Sequence, residues 1–240
     1  MITRAGWVFA LFMMAALHVS AFAVDREFPQ ESVIGGPVAG FLKKDHSPYR
    51  VKETLVIPDG KALIVEAGVE FYFDEGAGVD VRGGSLAIMG EANNPVIMTS
   101  LEKNKYWNGV SVTGLKRAEV QGIHVENATF GFAVESGALE IRDAIVSNAK
   151  RAGVYVRNAS VAMQWTQIQD CRSIGVWATH SASVDIDASS LSGNRIALVA
   201  GEDSSIALLR SHLDVNDVAV LDFGENSLRQ RNSVIEGNMV

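Results

Sequence analysis

Residues Gly153–Ala178 read GVYVRNASVAMQWTQIQDCRSIGVWA, one whole repeat and the start of the next. The run GVYV at Gly153 returns as GVWA at Gly175, 22 residues later. Working outward in both directions, Val110, Phe132, Val154, Val176, Leu198 and Val220 stand 22 apart. The residue before each is small: Gly109, Gly131, Gly153, Gly175, Ala197 and Ala219. A fixed period near 22 built from short alternating runs is the pattern of a solenoid whose coils stack.

Three short β-like pieces fill each repeat. The first is GFAVE at 131, GVYVR at 153 and GVWAT at 175. The second is ALEI at 138, SVAM at 160, SVDI at 183, SIAL at 205 and SLRQ at 227. The third is DAIVSN at 143, TQIQDC at 166, SSLSGN at 189, SHLDVN at 211 and SVIEGN at 233. Each alternates apolar with polar, as a half-buried strand does. Helical repeats need longer segments with a 3.6-residue period, and none is present. The expected fold is all-β, a single right-handed parallel β-helix with at least eight coils.

A second ladder closes the third piece. Asn148, Asn194, Asn216 and Asn238 each follow an aliphatic by three positions, after Ile145, Leu191, Leu213 and Ile235, with Cys171 in that slot after Ile168. Asn repeated at one corner bonds its neighbour on the next coil and tolerates a left-handed backbone. Cys171 is the only cysteine, so no internal disulfide exists, and it is read as a buried occupant of the Asn slot.

The first 23 residues stand apart. Arg4 precedes an apolar run, Ala5 to Val19, interrupted only by His18, and Ala21-Phe22-Ala23 is a small-x-small site. This reads as a secretory signal peptide, residues 1–23, and the run is short for a spanning helix. The expected domain is 24–240, with less regular coils and a cap over 24–106 and regular coils over 107–240. Within it, Leu101–Tyr106 (LEKNKY) is polar and leaves the pattern, so it is expected as a protruding loop.

Acids outnumber bases, 28 against 21, for a formal charge of −7. No basic stripe is present, which argues against a nucleic-acid partner. No later apolar run is long enough to cross a membrane.

The stretch from Val33 to Val112 resembles the N-terminal part of secreted bacterial right-handed parallel β-helix repeat proteins with the pectin-lyase-like fold. The resemblance rests on Ser47-Pro48-Tyr49, Leu55-Val56-Ile57-Pro58-Asp59-Gly60 and Leu63-Ile64-Val65-Glu66-Ala67-Gly68-Val69. It continues through Gly90, Asn94-Pro95-Val96-Ile97, Thr99-Ser100 and Trp107-Asn108-Gly109-Val110. Ala67 departs from it, where such sequences often carry proline. The resemblance implies an exported chain, periplasmic or extracellular, and says little of function, because this fold hosts pectin-cleaving enzymes, adhesins and passive domains alike.

Candidate sites are few. Asp185 and Asp187 point outward on one face of the second strand, about 6.6 Å apart by strand geometry. That spacing suits an inverting carboxylate pair or a calcium-type cation. Ala162, Gln164, Ala207 and Leu209 flank them, so a solvated face is the plainer reading. Asp214 and Glu236 stack on the third strand beside His212, with no nucleophile near. His46, His124 and His180 are scattered, without metal-binding spacing. The paired-Asp and His-Gly motifs of polygalacturonases and the Arg-rich motifs of pectate lyases are missing, so the chain reads as non-catalytic.

One surface feature remains. The outward position of the first strand reads Ser111, Ala133, Tyr155, Trp177, Val199, Leu221. From Tyr155 onward this is an apolar column with two aromatics on adjacent coils, a pattern that marks a binding surface or a strip covered by the chain itself. The expectation is a structural or binding module at the bacterial envelope, its partner a polysaccharide or another envelope protein. A polysaccharide lyase or glycoside hydrolase with an unrecognised site, and a purely structural spacer, are the alternatives.

Overall fold

The computed structural model describes residues 28–114, 117–224 and 227–240, so the segment read as a signal peptide lies outside the described residues. The chain forms a parallel β-solenoid of about nine turns, about 22 residues each, with almost no helix. Two three-residue 3-10 segments, Gln30–Ser32 and Lys44–His46, precede the regular coils. All strands belong to one continuous sheet, and each pairs in parallel with the strand one coil away.

One coil shows the construction. Ala152–Arg157, Ala159–Gln164 and Gln167–Gln169 form its three strands. They pair with Ile174–Thr179, Ser183–Asp187 and Ser190–Ser192 on the next coil. Strand residues alternate between the two faces of the sheet, so Val154, Val161 and Ile168 all enter the interior. Stacking coils puts like on like: Val110, Phe132, Val154, Val176 and Leu198 are each at most 1% exposed. No coil can bury its apolar side alone. The core is a product of stacking.

The small column has a steric cause. A Cβ placed on Gly131 would lie 2.5 Å from the Gly153 carbonyl oxygen, and one on Gly175 would lie 2.6 Å from the Ala197 oxygen. Successive backbones approach too closely there for a side chain. Ala197 and Ala219, the next smallest residues, hold the same position in the last two coils.

Leu63 and Leu86 pair with each other as the period suggests, but they belong to the second strand of their coils. The first-strand column continues instead from Val110 to Val79 and Leu55. In these early coils the interior holds aromatics. Tyr49 and Phe71 lie 5.5 Å apart, and Phe73 stacks on Trp107 at 4.0 Å and 11°. The buried Trp107 indole N–H donates to the Glu126 carbonyl at 2.8 Å. Glu102–Lys105 stand exposed outside any strand, as the loop reading requires.

Polar ladders run through the corners. Asn194 Nδ2 donates to Asn216 Oδ1 at 3.1 Å, and Asn216 Nδ2 to Asn238 Oδ1 at 2.9 Å. The Cys171 backbone N–H donates to Asn194 Oδ1 at 3.0 Å, so Cys171 does occupy this slot. Asn148 does not. Val146, not Ile145, pairs with Ile168, which places Ala149 in the slot and Asn148 one position earlier. That earlier column carries the left-handed backbone: Asn148, Asp170, Gly193, Val215 and Gly237 all have positive φ, from 51° to 67°. Expecting the ladder Asn to make the left-handed turn itself was therefore off by one residue. A second ladder joins hydroxyls at the preceding corner. Thr166 N–H donates to Ser189 Oγ, Ser189 N–H to Ser211 Oγ, and Ser211 N–H to Ser233 Oγ, each at 3.0–3.1 Å. Both ladders satisfy backbone donors that strand pairing cannot reach at a corner.

The final rung turns polar. Asp222 pairs with Ala200 and Gln230 with Leu208, and both polar residues are exposed.

Candidate functional site

Parity within the first strand creates the site. Val154 and Val156 point inward, so Tyr155 points out, and the same holds for Trp177 between Val176 and Ala178. The pairing runs Ser111, Ala133, Tyr155, Trp177, Val199, Leu221 without a break. The outward column read from the sequence is thus in register over its whole length.

Its rings meet at an angle. Tyr155 and Trp177 have centroids 5.0 Å apart with planes at 60°, and Phe130 adds a third ring 5.5 Å from Tyr155. Parallel stacking is not what strand spacing produces here, because tilted rings bring an electropositive edge to an electronegative face.

A second apolar column flanks the first. Phe130, Ala152, Ile174, Ile196 and Val218 occupy one paired position at the start of the strand. It was missed in reading the sequence, although its members recur at the same interval of 22. The C-terminal members of the first column and the middle members of the second floor a groove of about 540 Å³. Trp177, Val199 and Leu221 line it with Ile174 and Ile196 on one side, and Thr179, His180, Glu202, Asp203 and Phe223 on the other.

Val199 departs from expectation. It faces outward but is only 6% exposed. It lies between the larger Trp177 and Leu221 on neighbouring coils and beside Ile196, and these bulky groups take up the space around a short side chain. The column is therefore a depression with Val199 at its base, not a uniformly exposed stripe.

The polar rim comes from the turns after the strands. His180 and Asp203 sit at φ of 52° and 56°, which turns the chain sharply at the groove's edge. Thr179 Oγ1 and His180 Nδ1 are hydrogen-bonded at 2.8 Å. Phe223, 64% exposed, closes the far end.

The carboxylate pair is differently placed. Asp185 and Asp187 do point outward on the second strand, flanked by Ala162 and Gln164 and by Ala207 and Leu209. Asp187 is already engaged. Arg210 Nε donates to its Oδ1 at 2.8 Å, Arg210 Nη2 to its Oδ2, and Gln164 Nε2 to the same oxygen at 3.4 Å. The hydrogen bond from Arg210 holds the Asp187 carboxyl below its ordinary range. Arg210 lies beyond the strand end, so strand parity did not reveal it. His212 Nε2 lies 4.0 Å from Asp214 and 3.8 Å from Glu236, placing an imidazole alongside both stacked acids. Among the described residues, no group of three or more His, Cys, Asp or Glu converges on a point fit to hold a metal. Cys171 is 2% exposed, and burial pushes its thiol up to about 12.

No helix among the described residues is long and apolar enough to cross a membrane. Compared with protein-family models, with curated proteins and with solved structures, the chain matches none.

Proposed function

We propose that this chain is an exported, non-catalytic β-solenoid that binds carbohydrate at the bacterial envelope through the groove on its first-strand face. The single observation that carries the reading is the groove's composition: an aromatic and aliphatic floor with Thr179, His180, Glu202 and Asp203 along one edge. Apolar sites with a few placed polar groups are the usual form of a small-ligand pocket. Sugars suit this form, since their C–H faces lie against aromatic rings while their hydroxyls reach polar side chains at the rim. From Tyr155 to Leu221 the column spans three coil intervals, roughly 14 Å at strand spacing. That length favours an extended chain of sugar units over a compact ligand. The resemblance to secreted right-handed β-helix repeat proteins agrees with an envelope location.

A glycan array probed with residues 24–240 tests the proposal. Binding to one class of extended glycan, lost in Trp177→Ala with no loss of folding, is the expected result. Failure to retain any glycan at micromolar protein would overturn it.

A further inference from the structure

A second groove, of about 560 Å³, lies where the loop ending in Tyr106 meets the corner before the first strands, and its character is cationic. Lys105, Tyr106, Lys150 and Arg172 contribute to its walls together with one acid, Glu75, and none of them is shared with the apolar groove. Lys150 and Arg172 directly follow the inward slots held by Ala149 and Cys171, so coil stacking sets one over the other. Arg195, after Asn194, continues the column. Like charges at strand spacing of ~4.8 Å repel. In a chain carrying 28 acidic residues, a nearby carboxylate would relieve this. Yet neither Lys150 nor Arg172 has a carboxylate partner among the described residues. Among the described residues, Arg172 Nε donates only to Asn148 Oδ1, at 3.3 Å. Lys105, by contrast, is paired with Glu75 at 2.8 Å.

Both cations lie against the Tyr106 ring. Lys150 Nζ lies 5.7 Å and Arg172 Cζ 5.2 Å from its ring centroid. Its hydroxyl is shielded from solvent and has no hydrogen-bond partner. A sealed donor without a partner calls for an explanation, and an absent ion is a standard one.

We propose that Lys150, Arg172 and the Tyr106 hydroxyl form a binding site for an oxyanion, a phosphate or carboxylate group. The guanidinium offers a two-pronged donor face, the ammonium a point charge and the phenol a directed O–H. Lys150 and Arg172 are long and exposed, so they rearrange around the anion and uncover the hydroxyl as they leave the ring. This site stands independently of the carbohydrate reading.

The test is a titration of the full exported chain with sodium phosphate and, separately, sodium acetate, at ionic strength held constant with sodium chloride. Backbone amide signals of residues 104–108 and 149–173, together with the arginine Nε–H signals, are followed by NMR. A saturating shift of the Arg172 signal is expected in at least one arm, and the tighter arm identifies the anion. Lys150→Ala with Arg172→Ala should weaken binding tenfold or more, and Tyr106→Phe about threefold, with melting temperatures unchanged. A shift no greater than chloride alone produces, or either variant binding as tightly as the parent chain, would overturn the proposal.

Discussion

Trp177 and Tyr155, 22 residues apart in sequence, meet with ring centroids 5.0 Å apart and planes tilted by 60°. The contact couples two coils through their outward faces, and it leaves part of each ring open to a ligand. Trp177→Ala should weaken glycan binding at least tenfold. Its effect on stability should stay below about 2 kcal/mol, because the indole is only partly buried. Calorimetric titration beside a urea melt separates the two. A stability loss as large as a core deletion would mean that the chain itself covers Trp177.

The interior is far less tolerant. Leu191 is fully buried between Ile168 and Leu213. Leu191→Asp leaves an unpaired charge in a continuous core and should cost at least about 4 kcal/mol. Ser190, its outward neighbour, pairs with Gln167 and His212 at the surface. Ser190→Asp should shift the melting temperature little. Equal losses in the two variants would contradict the register.

The Asn ladder should be graded along the axis. Asn216 Oδ1 accepts from both the backbone N–H and Nδ2 of the buried Asn194, and Asn216 Nδ2 donates to the Leu191 carbonyl. Asn216→Ala strands these groups without water and should cost about 2–4 kcal/mol. Asn238 lies at the half-buried end, where solvent replaces lost partners. Asn238→Ala should cost less than half as much in the same urea melts.

Asp187 and Arg210 give a pH-dependent contribution whose sign is set by the carboxyl. Its folded pKa lies below the ordinary 3.8, chiefly through the hydrogen bond from Arg210. The pair's stabilisation is therefore complete above that ordinary value and lost as pH falls through the lower folded one. Both groups face water, so the effect is small and weakened by salt. Arg210→Ala should melt slightly below the parent at pH 7 in low salt, with the gap closing at pH 2. A gap that persists at pH 2 would point to packing by the arginine stem.

Cys171 should be inert while the chain is folded. With its thiol pushed up to about 12 by burial, the reactive thiolate is scarce at pH 8 and shielded besides. A chromogenic disulfide reagent should label it only after denaturant is added. Rapid labelling of the native chain would show that the coil opens at this corner.

The period of 22 and the inside–outside alternation determined the coil architecture directly from the sequence, because stacking forces equivalent residues into one column. The core positions Val154, Val176 and Leu198 and the outward positions Tyr155 and Trp177 follow from that alone. Tertiary structure decided what depends on distances across corners and between coils. The one-residue shift at Asn148 is of this kind, since the bend, not the repeat, sets which residue turns left-handed. So is the burial of Val199, which depends on how far Trp177 and Leu221 reach on either side. Arg210 reaches Asp187 from the next coil, one residue past Leu209, which pairs with Asp187, and strand parity does not assign a direction to a side chain just beyond the strand. Tyr106 meets Lys150 and Arg172 only because an irregular loop folds onto the coils that follow. A periodic sequence specifies the column on which a side chain stands, whereas the neighbours it meets beyond that column depend on loop paths that carry no period.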